Sequence, residues 1–249
     1  MQRIFRSVTR ALRSPRPLPV QPTQSISRQL STTTVKMGSI PTAPATKGNA
    51  DSFLSFIKER RSVYPLNKKL PIDTARVQDI ITESLQHVPS SFNSQSNRTV
   101  VLFGAEHDKF WDIATEILRA IVPADAWEPT GKKMAMFKAG AGTALFFEDQ
   151  TAVEGLQARF PQYADRFPPW AGHSSAMLQF VIWTALEAEG LGANLQHYNP
   201  LVDARVVEEW GVPATWKLTA QLVFGGRGAE ELAEKTFQPL EEKLKVFGA

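Results

Sequence analysis

The stretch VPSSFNSQSNRTVVLF, residues 88–103, joins a polar loop to an apolar strand. Small polar side chains crowd the loop: Ser90, Ser91, Asn93, Ser94 and Gln95. Because such side chains both donate and accept hydrogen bonds, the loop is suited to the polar edge of a buried ligand. Residues 99–103 are rich in β-branched and aromatic side chains and predict a strand. A Ser- and Asn-rich turn without a ligand is the alternative that these residues leave open.

Outward from that stretch, helical patterns alternate with short strands. Helices are predicted over residues 51–60, 73–87, 106–121 and 173–189, the first capped by Asp51 or Ser52. Strands are predicted over residues 99–103, 143–147, 193–196 and 216–224. Together they predict an α+β sandwich in which helices dominate. The largely apolar helix 173–189 is either a core helix or the centre of a dimer interface, and its pattern favours neither.

The composition limits the architecture and removes several kinds of site. With 249 residues and 43% hydrophobic content, the chain is suited to one well-buried domain. It has no cysteine, which excludes disulfides, thiolate nucleophiles and iron–sulfur clusters. No two of the four histidines have the spacing of metal ligands on a helix, so no metal site is expected. The sequence also lacks the GxSxG, HExxH and P-loop motifs of common hydrolases, proteases and NTPases.

The net charge of +3 conceals two parts of opposite sign. Residues 1–36 contain seven of the 28 basic residues and no acidic residue, so residues 37–249 have 21 basic against 25 acidic residues. An acidic body has no electrostatic reason to bind nucleic acid, which we therefore exclude as a partner. No apolar run approaches the ~18–20 residues that a membrane span requires.

The first fifty residues have the pattern of a targeting segment followed by a linker. In the opening MQRIFRSVTRALRS, apolar side chains recur on one helical face and arginines on the other, which predicts a mitochondrial transit peptide over residues 1–30. Residues 31–50 are rich in Pro, Ser and Thr and predict a disordered linker before the domain at 51–249. We therefore expect a mitochondrial, matrix location. A start at Met37 would instead give a cytosolic form.

Residues 59–66, ERRSVYPL, place two arginines and a serine at the end of the first predicted helix. Arg60, Arg61 and Ser62 offer two fixed charges and a hydroxyl, which suit a phosphate monoester. A solvated basic helix end, stabilised by the helix dipole, is the alternative and the more common arrangement. Near the C-terminus, Gly226 follows a predicted strand, where its backbone N–H faces a phosphate or its flexibility serves a turn.

Three segments, in order, resemble the FMN-dependent nitroreductase family: residues 59–66, residues 88–103, and EAEGLGANLQHYNP at 187–200. GTALFFED at 142–149 and EKTFQPLEEKLKVFG at 234–248 are similar to its fungal and bacterial branch, which is linked in yeast to oxidative-stress and fatty-acid responses. The resemblance extends from residue 52 to the end of the chain. It implies a helix-rich α+β sandwich around a small mixed sheet, assembled as an intertwined homodimer with two FMN sites at the interface.

The resemblance implies a phosphate site for FMN. Arg60 and Ser62 match the family residues that contact the phosphate and ribityl chain, and Arg61 is added by adjacency. Lys235 stands in the place of a family lysine near the phosphate. The arginine often found two residues later is Phe237 here, which is a departure from the family pattern.

The resemblance also implies contacts to the flavin ring. The polar loop would reach the flavin bound mainly by the other subunit, through Pro89, Ser90, Ser91, Asn93 and Gln95. The third segment would place Gln196, His197 and Tyr198 beside the ring, where a backbone N–H donates to flavin N5. His197 is either an acid/base or, more commonly for such a residue, a packing or capping histidine.

These features imply an oxidoreductase that transfers hydride from NADH or NADPH through FMN to a nitroaromatic, a quinone or a similar small electron acceptor. The mechanism is expected to be ping-pong, with no catalytic side chain beyond the flavin. Tyr64 stands where many members place a basic residue, so the potential and substrate range are expected to differ. A flavin-binding regulator of stress or lipid signalling with incidental turnover is the main alternative. A dehalogenase or desaturase on the same fold is another.

Overall fold

The computed structural model describes residues 49–229 and 232–249. Within them lie seven α-helices: α1 Ala50–Glu59, α2 Thr74–His87, α3 Gly104–Ile121, α4 Trp127–Lys138, α5 Gln150–Arg159, α6 Phe167–Ala188 and α7 Asp203–Trp210. The predicted transit peptide at 1–30, the start at Met37 and the linker up to residue 48 lie outside the described residues and remain predictions. No helix in the described part of the chain is long and apolar enough to cross a membrane.

A five-stranded sheet forms the centre of the fold. Its strands are β1 Leu66–Asn67, β2 Asn97–Phe103, β3 Gly142–Asp149, β4 Gly192–Gln196 and β5 Trp216–Arg227. β5 pairs with β3 on one side and with β4 and β1 on the other, and β2 pairs with β3. All four of these pairings are antiparallel. Within the described residues, the expectation of a mixed sheet is therefore met only by the isolated parallel bridge between Ser62 and Ala193.

Side chains from the two faces of the sheet enter two separate cores. Along β3, Leu145 and Phe147 pack in one core with side chains of α3, α4 and α7, whereas Ala144 and Phe146 pack in the other with α2 and α6. This alternation follows from the two-residue period of a strand. The sheet is thus a middle layer between two helical layers, which confirms the helix-rich α+β class.

The helix ends show which local signals decide them. Asp73 caps α2 by accepting a hydrogen bond from the backbone N–H of Arg76 at 2.7 Å, as predicted. The cap of α1 is Asn49, which accepts from the backbone N–H of Asp51, so the prediction of Asp51 or Ser52 as the cap was wrong. Asparagine caps a helix as well as aspartate does, and the capping position lies before the acidic first turn.

The apolar helix predicted over 173–189 begins six residues earlier, as α6 at Phe167. Prolines occupy its first turn, where the missing backbone N–H has no helical partner in any case. Leu178, Ile182 and Leu186 are buried in the core, while Met177 on another face is 40% exposed. The two interpretations of this helix are therefore compatible, because one face packs in the core and another remains open.

Candidate functional site

Residues 60–62 run from the end of α1 to the edge of the sheet. The backbone N–H of Arg60 still donates to Phe56 in the last turn of α1, at 3.0 Å. The next two residues leave the helix, and Ser62 forms its bridge with Ala193 of β4. The segment is therefore anchored at both ends, and the Arg60 and Arg61 side chains are held between a helix and a strand.

Arg60 has a buried hydrogen-bond donor without a partner. Its guanidinium lies over the ring of Trp183, 4.3 Å from the ring centroid, and its Nη1 atom is buried with no hydrogen-bond acceptor among the described residues. A buried charged donor that lacks an acceptor is costly to the folded state. This arrangement fits an anionic ligand, which would supply the missing acceptor.

Arg61 holds the C-terminal segment against the same region. Its Nη2 atom donates to the carbonyl oxygen of Ala233 at 2.6 Å, and its backbone N–H donates to Glu187 Oε2 at 3.1 Å. The sequence alone does not reveal the first contact, because the two residues are 172 positions apart. Through it, Lys235 is brought close to residues 60–62.

A cavity of about 640 Å³ lies at this junction. Its lining combines five of the residues predicted from the sequence with four that were not predicted: Arg60, Arg61, Ser62, Tyr64 and Lys235, and then Pro65, Met136, Leu232 and Ala233. Three of the lining side chains are cationic, whereas none is acidic. The cavity is suited to a ligand that has an anionic group attached to a less polar body.

Lys235 and Phe237 show how the departure from the family pattern is accommodated. The ammonium of Lys235 lies 5.5 Å from the ring centroid of Phe237, and that ring is 79% exposed. The aromatic ring stabilises the cation by a cation–π contact, which an arginine at position 237 would replace with repulsion. The lysine therefore remains at the cavity even though the second family cation is missing.

Glu187 is a buried charged residue of this region that sequence reasoning missed. Its side chain is 3% exposed, and it accepts hydrogen bonds from the backbone N–H of Arg61, from Trp183 Nε1 and from Arg227 Nη2. Burial raises the pKa of this carboxyl above its ordinary value, while the three donors and the charge of Arg60 oppose the rise. The only sequence signal is its position as the first residue of the segment 187–200.

The polar loop after α2 adopts an unusual backbone. Phe92, Asn93 and Gln95 all have positive φ, at 56°, 51° and 47°. Positive φ is uncommon for residues other than glycine and is least expected for a bulky one such as Phe92. The backbone N–H of Gln95 donates to Ser90 Oγ at 2.9 Å, which closes the loop on itself.

Aromatic packing holds the loop in this conformation. Phe92 stacks on Trp170 with ring centroids 6.0 Å apart and planes 19° from parallel, and it contacts Phe160 at 5.1 Å and Phe167 at 5.4 Å. These partners come from the first turns of α6 and the segment before it. Packing of this kind compensates for backbone strain at a residue that otherwise avoids positive φ.

The loop lies at a different cavity from residues 60–62. Ser90 and Gln95 line a cavity of about 490 Å³ together with Arg98, and neither lines the cavity that contains Arg60. Pro89 and Asn93 are exposed and Ser91 is half-buried in the same loop. The predicted phosphate residues and the polar loop therefore line different cavities of the chain.

The third predicted group lies at the end of β4. Gln196 Nε2 donates to Asn194 Oδ1 at 2.8 Å, and His197 is exposed. The backbone N–H of Tyr198 donates to Gln221 Oε1 at 2.7 Å, so this N–H is already engaged within the chain. Burial raises the pKa of the Tyr198 hydroxyl, which keeps it protonated at neutral pH.

Of the two interpretations left open for Gly226, a phosphate-facing backbone and a turn, the turn is wrong, because the residue lies in a strand; it does not line the cavity that contains Arg60. It belongs to β5, where it pairs with Asn67 of β1 and is buried. A Cβ atom at this position would overlap the carbonyl oxygen of Lys69 and would lie 2.5 Å from Asn67 Oδ1. The glycine is therefore required by the close approach of the backbone of residues 67–69, and the turn interpretation is corrected.

The fold and this cavity define an α+β protein with a cationic cavity at the end of α1, next to the sheet. A model of the nitroreductase family matches residues 57–226. HBN1 of Saccharomyces cerevisiae, provisionally named a nitroreductase, is 38% identical over 198 residues, which are 79% of this chain and 97% of HBN1. The chain therefore belongs to the nitroreductase family of oxidoreductases.

Solved structures agree with this assignment. The nitroreductase CinD of Lactococcus lactis, solved with nicotinic acid, is 43% identical and superposes with a TM-score of 0.73 over 79% of this chain and 100% of CinD. A structure from Desulfovibrio desulfuricans, solved with FMN, is 18% identical, with a TM-score of 0.57 over 78% of this chain and 97% of its own. At that identity the second structure supports the fold alone.

Proposed function

We propose that the protein binds FMN with its phosphate in the cavity at Arg60 and transfers hydride from NADH or NADPH to an electron-poor aromatic acceptor. The observation that carries the proposal is the buried Nη1 of Arg60, which has no acceptor among the described residues. A phosphate monoester has three acceptor oxygens and a charge of about −1.5 to −2 at neutral pH. It therefore suits both the missing acceptor and the three cations of the cavity.

The chain supplies binding and orientation for this reaction. FMN, when bound, would accept a hydride from the nicotinamide and pass it to the acceptor. Arg60, Arg61 and Lys235 would neutralise the phosphate, and the Ser62 hydroxyl would donate to it. Tyr64, which is 44% exposed at the same cavity, provides no cation for a reduced flavin.

We propose that the site is completed by a second copy of the chain. The polar loop at 90–95 contributes to a separate cavity and not to the one that contains Arg60, which favours contact between this loop and a flavin held by another copy. Large apolar side chains are exposed on α1, on α6 and along the C-terminal segment: Phe53, Leu54, Phe56, Met177, Phe237, Leu240, Leu244, Val246 and Phe247. Apolar exposure on this scale is typical of a surface that another subunit covers.

The acceptor class is proposed from chemistry and from CinD. Structures of CinD contain chloramphenicol and 4-nitrophenol, which are both nitroaromatic compounds. Flat, electron-poor rings accept electrons readily and stack against a flavin. We therefore propose nitroaromatic compounds and quinones as acceptors for this chain.

Steady-state turnover tests the proposal. Under anaerobic conditions, the purified full chain loaded with FMN is expected to oxidise NADH or NADPH over many turnovers only when 4-nitrophenol, chloramphenicol or a benzoquinone is present. A ping-pong mechanism predicts parallel double-reciprocal lines when both substrates are varied. A protein that holds FMN and yet turns over none of these acceptors would instead favour the flavin-binding regulator of stress or lipid signalling.

A mitochondrial matrix location is also proposed, on the sequence of residues 1–30 alone. A fluorescent reporter fused after residue 36 is expected to enter mitochondria, while the chain started at Met37 is expected to remain cytosolic. A reporter that stays in the cytosol would contradict the proposed location without affecting the proposed reaction.

A further inference from the structure

A buried carboxylate lies close to the arginine that the proposed function assigns to the phosphate. Glu187 is in the last turn of α6, and its side chain is 3% exposed. Its Oε1 atom accepts from Trp183 Nε1 at 2.7 Å. Its Oε2 atom accepts from the backbone N–H of Arg61 at 3.1 Å and from Arg227 Nη2 at 2.9 Å. Every recorded partner of this carboxylate is therefore an N–H donor.

Trp183 connects this carboxylate to Arg60. It lies four residues before Glu187 on α6, the spacing at which two side chains meet on one helix face. The hydrogen bond from its ring N–H fixes the plane of the indole, and the guanidinium of Arg60 lies over that plane at 4.3 Å. A guanidinium whose central carbon contacts an aromatic ring keeps N–H groups that can donate to an acceptor. Arg60 thus contacts Trp183, and Trp183 is in turn hydrogen-bonded to Glu187.

The other two donors tie down the surrounding backbone. The N–H of Arg61 fixes the residue that follows Arg60, while Arg227 also donates from Nε to the carbonyl oxygen of Leu191 at 3.0 Å. Glu187 therefore joins α6, the segment after α1 and the end of β5. Arg60 lines the smaller cavity where Glu187 and Arg227 also lie, so these elements are adjacent to its side chain.

We propose that Glu187 and Trp183 are positioning residues that hold the Arg60 guanidinium in the orientation needed to bind a phosphate monoester. The proposal rests on the proposed function, because it presupposes that Arg60 meets the phosphate of FMN. Neither residue would touch the phosphate itself. Their contribution would act through Arg60 and would be confined to ligands that carry the phosphate.

Whether Glu187→Gln strengthens or weakens phosphate binding distinguishes a positioning role of Glu187 from a purely electrostatic one. If Glu187 acted only as a nearby negative charge, its removal would strengthen the binding of an anionic phosphate. If it acts by positioning, its removal weakens binding. Either orientation of the Gln amide directs an NH₂ group at an N–H donor, at Trp183 or at Arg61 and Arg227, so the network breaks in both cases.

The test compares FMN with riboflavin, which has the same ring but no phosphate. Dissociation constants are measured by flavin fluorescence on the purified full chain and on the Glu187→Gln and Trp183→Leu variants. We expect FMN binding to weaken about 10-fold in each, on the order of one charge-assisted hydrogen bond, with riboflavin binding changed by less than about 2-fold. The affinity ratio of FMN to riboflavin therefore falls.

Matched controls come from the same chain. Glu189→Gln removes a carboxylate two residues away that pairs with Arg76, and Trp127→Leu removes an indole over which Arg119 lies at 4.5 Å. Neither Glu189 nor Trp127 lines the cavity that contains Arg60, so both controls are expected to keep the ratio of the unaltered chain. Thermal unfolding with and without FMN shows which variants fold.

The outcomes separate the two proposals. A chain that binds neither flavin contradicts the proposed function. A chain that prefers FMN, with an unchanged or increased ratio in Glu187→Gln and Trp183→Leu, overturns the positioning role alone. If Glu187→Gln does not fold, Trp183→Leu decides, because it retains the carboxylate and its bonds from Arg61 and Arg227 while removing the ring beside Arg60 and the ring's hydrogen bond to Glu187.

Discussion

At the scale of single residues, the phosphate assignment depends on Arg60 and Ser62. Replacing both with alanine removes the unpartnered donor and the hydroxyl from the cavity, so FMN binding is expected to weaken by about 10- to 100-fold. The measurement is FMN occupancy after purification and titration, with thermal unfolding to verify folding. Arg119→Ala is the matched control, since it removes an arginine that stacks on Trp127 outside the cavity. Normal FMN occupancy in a folded double variant would refute the assignment.

His107 makes a second prediction at this scale, concerning pH. It is fully buried, with Nδ1 2.8 Å from Thr143 Oγ1 and Nε2 3.2 Å from the carbonyl oxygen of Lys138. Burial lowers its pKa from 6.5 to about 4, and the positive charge of Lys68 adds to the decrease. The unfolded chain therefore binds a proton at a pH where the folded chain does not.

The direction follows from this depressed pKa. The stability due to neutral His107 is fully present above about pH 6.5 and is lost as the pH falls towards 4, by on the order of 3 kcal/mol. Urea unfolding at several pH values is expected to show that, as the pH falls from 6.5 to 4, the free energy of unfolding decreases more steeply for the unaltered chain than for His107→Gln. Equal slopes for the two proteins would show that His107 does not cause the loss. Burial raises the pKa values of Glu148 and Asp203. Both residues are present in both proteins, so their contribution to the pH dependence is the same and does not affect the comparison.

The residue scale also shows what sequence reasoning finds and what it misses. Arg60, Arg61, Ser62, Tyr64 and Lys235 were predicted and line one cavity, because each lies in a recognisable segment. Glu187 and Trp183 were not predicted as site residues. Their role depends on partners up to 126 positions away, and only the folded chain brings those partners together.

At the scale of elements, the loop at 90–95 is held by aromatic packing rather than by its own backbone preference. Phe92→Ala removes the contacts to Trp170, Phe160 and Phe167, and the free energy of unfolding is expected to fall by about 1–3 kcal/mol. Hydrogen exchange of residues 90–95 is expected to accelerate by more than the global change. Phe92→Tyr retains the ring and serves as the control. Unchanged exchange in Phe92→Ala would show that the loop holds its conformation without the ring.

Helices were predicted unevenly, and the differences have physical causes. α2 was correctly placed because an aspartate cap and an amphipathic pattern agree. α4, α5 and α7 were not predicted, because Gly131 and Pro129 interrupt the pattern of α4, Gly155 interrupts that of α5, and α7 has only eight residues. Their packing against the rest of the fold outweighs these weak local preferences. All four predicted strands were found, since each combines β-branched or aromatic residues with clear boundaries.

At the scale of the whole molecule, the exposed apolar side chains predict a dimer. Light scattering is expected to give about twice the chain mass of 27.6 kDa. Met177→Glu places a charge on the exposed face of α6 and is expected to lower the dimer fraction and FMN binding together. Ile121→Glu, at an exposed position that ends α3, is the control. A monomeric chain that binds FMN normally would contradict the shared site.

The family could be predicted from the sequence because three separated motifs occur in the family's order. The spatial arrangement of these motifs could not be predicted from the sequence. The phosphate residues and the polar loop line different cavities of one chain, and nothing in their spacing along the sequence indicates this. The separation supports the expectation from the resemblance that the loop serves a flavin held mainly by the other subunit.

The central claim is that this chain is a flavin-dependent reductase, and its visible absorption spectrum tests that claim most directly. The purified protein is expected to show the two absorption bands of oxidised flavin. Addition of NADH or NADPH without oxygen is expected to bleach both bands, and air is expected to restore them. A colourless protein that FMN does not reconstitute, or a yellow one that neither nucleotide bleaches, would contradict the account.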